Sequence, residues 1–336
     1  MISITVDKKD SGQRVDKFIM RVLPNAPKSL IFKQMRGKNI TLNRKKISGS
    51  EILSQGDSLE IFFSQETFDK FSGKSETVDL SEYINAYKKI GRLEIIYEDD
   101  NVVIINKPAG ILTQKSTSDD ISLNEWLIGY LIQNKKLTEN DIRMYKPSCM
   151  NRLDRNTSGM CLGAKTLLGS STLAQLIKER DIEKYYHTYM LGEVNRDMEL
   201  FGYLCKDDDK NRVTIYDSPM HESDVKIHTK VHPIRVIENK ELGIKYTFAE
   251  IELVTGKSHQ IRAHMSHIGH PLLGDYKYGD KSVNDKLKSL YRIESQLLHA
   301  SILKFPKDTG ELKELSERVF VCKEPDIYGN LEKQRS

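Results

Sequence analysis

The chain has 336 residues, 38% of them hydrophobic, which suffices for one large domain or two modest ones. No apolar run approaches the roughly 20 residues that cross a bilayer, and the N-terminus lacks a signal-peptide core. Four cysteines without C-x-x-C spacing argue against a disulfide framework or a zinc site. We therefore expect a soluble, cytoplasmic protein. Its net charge of +4 is weakly basic, but residues 1–64 carry twelve Lys and Arg against six Asp and Glu.

This basic N-terminal segment reads as a compact unit. Apolar residues with helical spacing predict a helix that opens near Arg14 and a second one over 28–36, and short strands are predicted at 40–43 and 56–62. Such a charge run is usually a solvated face, but basic side chains on consecutive elements favour contact with RNA phosphates. The predicted RNA-binding residues here are Arg14, Lys33, Arg36, Lys38, Lys45 and Lys46.

The order of two helices, the basic turn of Arg44, Lys45 and Lys46, Gly-Asp and a strand resembles the S4 RNA-binding domain. The positions that carry this resemblance are Arg14, Asp16, Lys33, Arg36, Leu42, Asn43, Gly56 and Asp57. Residues 65–91 are polar and show no sustained periodicity, so we predict a linker with one helical turn at 83–87.

A hairpin of strands 93–97 and 102–106 is predicted next, followed by the turn of Lys107, Pro108, Ala109 and Gly110. Lys107 is either a plain turn residue or a residue that faces RNA. Apolar periodicity then predicts helices over 123–133 and 166–180 and a strand over 184–190.

The most informative stretch is residues 150–159, which read Met-Asn-Arg-Leu-Asp-Arg-Asn-Thr-Ser-Gly. Asp154 lies between Arg152 and Arg155, whose charges favour the ionised carboxylate. The apolar residues that follow predict a buried strand, so the aspartate would lie in a loop that enters the core. An isolated Arg-x-Asp-Arg is more often an ion-pair cluster at the surface, but such a loop also suits a reacting carboxylate.

A second glycine turn precedes a helix at residues 255–265, Thr-Gly-Lys-Ser-His-Gln-Ile-Arg-Ala-His-Met. A helix N-terminus presents free N–H groups to an anion, and Lys257 and Arg262 add positive charge, so this segment is predicted to grip nucleic acid. We predict no metal here, because His259, His264 and the two histidines that follow lack ligand spacing. Nor do we assign one to the acidic residues 207–209, which lack the pattern of a calcium loop.

These motifs together resemble the RluA-type family of RNA pseudouridine synthases. The resemblance is carried by the Arg-Leu-Asp-Arg loop, the Lys-Pro-x-Gly turn, Lys-x-Tyr at 184–186, the Thr-Gly-x-x-His-Gln-Ile-Arg segment and the strand at 297–306. It implies that Asp154 is the catalytic aspartate, that Tyr186 stacks on the target base, and that Arg262 pairs with Asp154. It also implies that Leu303 packs beside the target nucleotide.

Two positions depart from the family pattern. Asn151 replaces the usual histidine and is interpreted as a scaffolding substitution, because asparagine retains hydrogen bonding without titrating near neutral pH. Lys257 replaces the usual arginine, keeping the charge but losing the bidentate fork. Tyr186 could also be an ordinary cross-strand aromatic residue, and Leu303 a plain core residue. The remaining predicted RNA contacts are Arg152, Arg155, Lys184, Lys257, His259 and Gln260.

The resemblance implies an α+β fold, in which a small S4-like α/β domain (1–64) and the linker (65–91) precede a catalytic domain (92–321). That domain would have a mixed, mainly antiparallel sheet with a central cleft, and residues 322–336 would form a flexible tail. The implied reaction is the isomerisation of uridine to pseudouridine without cofactor or metal, by a monomer, with 23S rRNA as the expected partner. Alternatives are a tRNA-directed synthase, an N-glycosylase and a non-catalytic RNA-binding factor for ribosome assembly.

Overall fold

The computed structural model describes residues 1–73, 79–207 and 212–331. Asp208 and Asp209, from the acidic run considered above, lie outside these ranges. No helix within them is both long enough and apolar enough to cross a membrane.

The N-terminal unit is a small antiparallel sheet packed against helices. Its strands, in the spatial order β1-β4-β2-β3, are β1 (Ile2–Thr5), β2 (Ile40–Leu42), β3 (Lys45–Lys46) and β4 (Ser58–Ile61). Its helices are α1 (Val15–Val22), α2 (Lys28–Arg36) and α3 (Gln65–Ser72), with a 3₁₀ turn at Lys8–Asp10. Val15, Phe18, Ile19 and Val22 are buried on one face of α1, as the helical spacing predicts.

The turn of the N-terminal unit lies one residue earlier in the chain than predicted. Asn43 and Arg44 have φ values of 49° and 64° and form the turn themselves, a conformation that tight hairpins require. Lys45 and Lys46 therefore lie on the exposed strand β3 rather than in the turn.

The second unit is built on one large sheet. Its strands are β5 (Glu94–Glu98), β6 (Val102–Lys107), β7 (Ser148–Cys149), β8 (Ser158–Ala164), β9 (Glu183–Leu191), β10 (Met198–Asp207), β11 (Arg212–Tyr216), β12 (Val225–Asn239), β13 (Ile244–Leu253), β14 (Leu298–Lys304) and β15 (Val319–Val321). Its helices are α4 (Ser81–Ile90), α5 (Leu123–Gln133), α6 (Glu139–Met144), α7 (Leu167–Glu179), α8 (Gln260–His267) and α9 (Lys281–Tyr291), with 3₁₀ turns at Lys313–Leu315 and Asp326–Asn330.

The strand order explains how distant parts of the chain meet. Neighbours run β11-β10-β12-β13-β9-β14-β8-β6-β5, with β7 beside β8 and β15 beside β14. Of the strand pairs described, β14 and β8 are parallel and the others are antiparallel. The expected α+β class with a mixed, mainly antiparallel sheet is confirmed. The starts of β8 and β14 lie side by side, because His299 pairs with Ser158.

The predicted linker at 65–91 is wrong for most of its length. Phe68 on α3 is buried in the core of the N-terminal unit. Helix α4 packs so closely on α5 that a Cβ added at Gly129 would lie 2.2 Å from the Tyr83 carbonyl oxygen. Both helices are short and rich in charge, so their single apolar faces did not stand out as periodicity.

The predicted flexible tail is also wrong as far as residue 331. Tyr328 and Leu331 are buried among aromatic residues of β9 and β13, and the hydroxyl of Tyr246 donates to the Leu331 carbonyl at 2.9 Å. Sparse apolar residues in a charged segment become ordered because the sheet offers them a pocket. Residues 332–336 lie outside the described ranges.

Candidate active site

The loop that carries Asp154 connects β7 to β8 and is fixed at several points. The side-chain oxygen of Asn151 accepts a bond from Leu162 N at 2.7 Å, so its interpretation as a scaffolding residue is confirmed. The hydroxyl of Thr113 accepts from Leu153 N at 3.1 Å and donates to Leu153 O at 2.9 Å. These bonds fix the backbone before Asp154 and tie it to β8, so the Asp154 side chain is presented from a rigid support.

Lys107 supplies a further anchor for this loop. Its side chain is fully buried, and its ammonium donates to the carbonyls of Pro108, Ile111 and Arg155 at 3.0, 2.8 and 3.0 Å. Burial lowers the pKa of Lys107 to about 8. Lys107 therefore ties the Lys-Pro-x-Gly turn to the Asp154 loop, and the alternative that it faces RNA is wrong.

Asp154 pairs with Arg262, which lies 108 residues further along the chain. Arg262 Nη1 donates to Asp154 Oδ2 at 2.9 Å. The other side of the same guanidinium forms two bonds with buried Asp275, Nε to Oδ2 at 2.7 Å and Nη2 to Oδ1 at 2.9 Å. The ion pair expected for Arg262 is thus present, and Arg262 is itself held by a second carboxylate.

The arginines that flank Asp154 in the sequence were expected to supply the positive charge beside its carboxylate, but the structure gives it another partner. Arg152 and Arg155 are exposed, and Arg155 lies 4.0 Å from Asp120. The ion partner that the structure gives Asp154 is Arg262, and His259 Nε2 lies 3.9 Å from the same carboxylate oxygen. The positive charge that faces Asp154 therefore comes from Arg262 on α8.

Tyr186 lies on β9, under the same loop. It is 6% exposed and packs with Leu153, Ile261 and Leu298. Burial raises the pKa of the Tyr186 phenol, and the nearby charge of Asp154 raises it further. The phenol is therefore neutral at physiological pH.

His259 completes the group around Asp154. It is the residue before α8 and has a left-handed backbone, with φ of 55°. Its Nδ1 lies 2.9 Å from the hydroxyl of Tyr278, and its side chain is 13% exposed. Burial lowers the pKa of His259, so the ring is neutral near pH 7.

These side chains lie in a cavity of about 840 Å³, a size suited to a nucleotide-sized ligand. Four of the residues predicted to contact RNA line this cavity: Arg152, Arg155, Lys184 and Lys257. Lys184 Nζ also donates to the Ile182 carbonyl at 2.9 Å. Basic residues that the sequence analysis did not single out also line it: Lys115, Lys178 and Arg180. Many basic side chains therefore line the cavity that contains Asp154.

Gln260, a predicted RNA contact, has a structural role instead. Gln260 is 2% exposed; its amide nitrogen donates to His228 O and Thr229 Oγ1, and its oxygen accepts from Thr255 and Lys257. With its hydrogen bonds made internally, Gln260 shapes the loop and is not free to bind RNA, so that prediction is wrong.

Leu303 is not in the base pocket, contrary to the prediction. It is 2% exposed and packs with Ile104, Leu162 and Phe320 in the core. Leu298, on the same strand, lines the cavity. The pairing with β9 shifts by one residue between Ala300 and Ile302, so Leu298, opposite Thr188, and Leu303, opposite Lys184, lie on the same face of the sheet. Leu303 is kept out of the cavity by its position further along the strand, where core side chains cover it.

The predicted N-terminal contacts lie on the separate N-terminal unit. Lys33, Arg36, Lys38, Lys45 and Lys46 are exposed. Arg14 forms a two-bond pair with buried Asp16, at 3.1 and 2.9 Å, which leaves about half of its side chain exposed.

The histidines near α8 each have a partner other than a metal. His264 Nδ1 lies 3.0 Å from Thr229 Oγ1, His267 lies 3.1 Å from Asp217, and His270 lies 2.9 Å from the Leu191 carbonyl. In the described ranges, no group of three or more His, Cys, Asp or Glu is arranged to hold a metal ion.

Asp275 is the main residue that sequence reasoning missed. It lies in the segment His-Pro-Leu-Leu-Gly-Asp after α8, and its side chain is fully buried. A carboxylate is almost never fully buried without a partner, so an aspartate after an apolar pair and a glycine was a usable signal. Nothing local, however, identifies Arg262 as that partner.

Comparison with known proteins agrees with this geometry. Residues 101–267 match the family model described as RNA pseudouridylate synthase. The chain is 30% identical over 309 residues to an uncharacterized RNA pseudouridine synthase of Mycoplasma genitalium, covering 90% of this chain and 88% of that protein. It is 31% identical to ribosomal large subunit pseudouridine synthase C of Rickettsia bellii, covering 82% and 84% of the two chains.

A solved structure supports the fold. Human RNA pseudouridylate synthase domain containing 4 superposes with a TM-score of 0.56 at 19% identity, covering 76% of this chain and 97% of that one. The family model and the curated relatives define an isomerase that acts on RNA. The chain belongs to the RluA-type family of RNA pseudouridine synthases.

Proposed function

We propose that this enzyme converts specific uridines of large-subunit ribosomal RNA, 23S rRNA, to pseudouridine, with Asp154 as the essential carboxylate. The observation that carries the proposal is the Asp154–Arg262 ion pair at 2.9 Å in a nucleotide-sized cavity lined with cations. The choice of RNA is supported by relatives from Rickettsia bellii and Vibrio cholerae, each named ribosomal large subunit pseudouridine synthase C.

The reaction breaks the bond from N1 of uracil to C1′, turns the base and rejoins it through C5. A stacked uridine must first leave its helix, and an aromatic side chain can replace the stacking that is lost. Tyr186 is the proposed stacking residue, because it packs in the cavity next to Asp154. Its neutral phenol suits contact with an uncharged base.

Asp154 serves this reaction by attacking C1′, by adding to C6, or by removing the proton from C2′. Each of these steps needs an ionised carboxylate held at the sugar or base. In the proposed mechanism Arg262 holds that carboxylate in place, and Asp275 in turn orients Arg262.

The proposed RNA interface has two parts. Around the cavity, Arg152, Arg155, Lys184 and Lys257 would contact phosphates beside the target uridine. On the N-terminal unit, which we propose is S4-like, the exposed residues of α2 and β3 would hold a more distant segment of the RNA. Phosphate contacts of this kind supply affinity, while the cavity selects the nucleotide.

Tritium release tests the proposal directly. Formation of pseudouridine expels the hydrogen at C5, so transcripts of 23S rRNA, 16S rRNA and tRNA labelled there are incubated separately with the protein. Release from 23S rRNA alone is expected. Release from tRNA alone would make the enzyme tRNA-directed, and free uracil in the supernatant would indicate an N-glycosylase. Tight binding without release from any RNA would favour a non-catalytic assembly factor.

A further inference from the structure

The side chain of His259 is held between Tyr278 and Asp154 by contacts on both ring nitrogens. Tyr278 is 7% exposed, and its hydroxyl accepts a bond from Val213 N at 2.9 Å. The same hydroxyl lies 2.9 Å from His259 Nδ1. On the opposite side of the ring, Nε2 faces Asp154 Oδ2 at 3.9 Å.

The carboxylate of Asp154 on the Nε2 side of the ring favours the tautomer with the proton on Nε2, because a carboxylate can only accept. In that tautomer the Tyr278 hydroxyl accepts from Val213 and donates its own proton to Nδ1. A neutral imidazole carries one proton, which is then on Nε2 and points at a carboxylate that can only accept. A chain of hydrogen bonds thus runs from the Val213 amide through Tyr278 to His259, and it presents Nε2–H toward Asp154.

The distance of 3.9 Å is too long for a direct hydrogen bond. One oxygen atom at about 2.9 Å from each of the two atoms spans this gap with an angle of about 85° at the oxygen, and moving the two side chains apart by under about 1 Å opens that angle to the tetrahedral value. Oδ2 already accepts from Arg262, and a carboxylate oxygen has a second lone pair for another donor. The bridging group must therefore accept a hydrogen bond from His259 and donate one to Asp154, which is what a hydroxyl does.

We propose that His259 Nε2–H and Asp154 Oδ2 together bind the 2′-hydroxyl of the target uridine, which makes His259 a residue that selects ribose. The inference rests on the proposed function. The 2′-hydroxyl is attached to C2′ and lies two bonds from C1′, so it accompanies the sugar atoms that Asp154 would attack or deprotonate. It is also the group by which a protein distinguishes RNA from DNA at a given nucleotide.

The test compares two synthetic RNAs that contain the mapped target site, one with uridine and one with 2′-deoxyuridine at that position. Each is reacted in single turnover with the wild type, His259→Asn and His259→Gln. Asparagine tolerates the left-handed backbone but lacks a donor at the Nε2 position. Glutamine places an amide N–H close to that position, so it serves as the matched variant.

For the wild type, we expect deoxyuridine to react at least about tenfold more slowly than uridine, the scale of one well-placed hydrogen bond. His259→Asn should slow the uridine substrate by a similar factor without slowing the deoxyuridine substrate further. His259→Gln should recover most of the uridine rate. Such non-additivity is the signature of one shared interaction.

Equal slowing of both substrates by His259→Asn would overturn the inference, because His259 would then act independently of the 2′-hydroxyl. An unchanged uridine rate in His259→Asn would overturn it as well. Pseudouridine made by the wild type in either case leaves the proposed function standing. Absence of product from the wild type on every RNA would instead refute the proposed function itself.

Discussion

Arg262 and Asp275 are joined by two parallel hydrogen bonds, from Nε to Oδ2 at 2.7 Å and from Nη2 to Oδ1 at 2.9 Å. Asp275 is itself fixed by the backbone amides of Lys277 and Tyr278, at 2.9 and 3.1 Å. Nη1 is then the guanidinium nitrogen that donates to Asp154. The direction of the proposed catalytic carboxylate thus depends on a second, fully buried carboxylate that is remote in sequence.

Asp275→Asn should impair both rate and stability. Asparagine offers one acceptor where the guanidinium needs two, so Arg262 tilts and Asp154 shifts, and misplacement of this kind costs about a hundredfold in rate. Breaking a buried ion pair should also lower the free energy of unfolding by about 3 kcal/mol. Single-turnover kinetics and urea unfolding measure the two effects. Asp217→Asn, at an exposed position, is the matched control, and a wild-type rate in Asp275→Asn would refute the positioning role.

Asp154→Asn should abolish turnover and leave RNA binding intact. The substitution retains the shape and an acceptor for Arg262 but removes the negative charge, so the rate should fall by about a thousandfold or more. Tritium release reports turnover, and filter binding with the same transcript reports affinity. Retained turnover would show that another group is the essential carboxylate.

Lys107→Met should loosen the loop that holds Asp154. Three carbonyls lose a buried donor, which should lower the free energy of unfolding by about 3 kcal/mol and reduce the rate. The pKa of Lys107 is about 8 in the folded state, against an ordinary value of 10.5. Between pH 8 and 10.5, Lys107 is protonated in the unfolded chain but neutral in the folded state. The wild type should therefore gain stability relative to the variant as the pH rises from 8 to 10.5.

Urea unfolding across that pH range measures the difference between wild type and Lys107→Met. Lys313→Met, at an exposed position, controls for the loss of one positive charge. A constant difference between wild type and Lys107→Met at all pH values would contradict the lowered pKa of Lys107.

The fold should lose stability in mild acid because of buried histidines. Burial lowers the pKa of His299 to about 4 from an ordinary value of 6.5. Between pH 4 and 6.5, His299 is protonated in the unfolded chain but neutral in the folded state. The free energy of unfolding should therefore fall as the pH is lowered from 6.5 to 4. His299→Gln should flatten this slope, whereas His232→Gln, at an exposed position, should leave it unchanged. An identical slope in His299→Gln would contradict the assignment.

The double substitution Lys33→Ala with Arg36→Ala should weaken RNA binding without slowing the bound reaction. Each phosphate contact removed should reduce the slope of log affinity against log salt by about 0.7 to 0.9. Lys88→Ala with Lys89→Ala removes the same charge from the exposed side of α4 and is the control. Equal losses of affinity in the two double variants would show that net charge, rather than the proposed interface on α2, is responsible.

The sequence correctly predicts the elements whose formation depends on residues that are neighbours along the chain. The hairpin of β5 and β6, helices α5 and α7, the buried strand β8 and the loop around Asp154 all follow from periodicity and turn residues, because those signals come from neighbours along the chain. The pairing of Arg262 with Asp154 was expected from family resemblance alone. No spacing rule connects residues that are 108 positions apart.

Tertiary structure decided the rest, because strand order and the face on which a side chain lies are properties of the whole sheet. A register irregularity between Ala300 and Ile302 on β14 puts Leu298 and Leu303 on the same face, opposite Thr188 and Lys184 of β9. Leu298 lines the cavity, while Leu303 lies further along the strand in the core. The packing of distant segments also brings Asp275 into contact with Arg262 and places His259 beside Asp154. The sequence by itself determined which reactive groups this protein has. Only the packing of distant segments determined which of them meet.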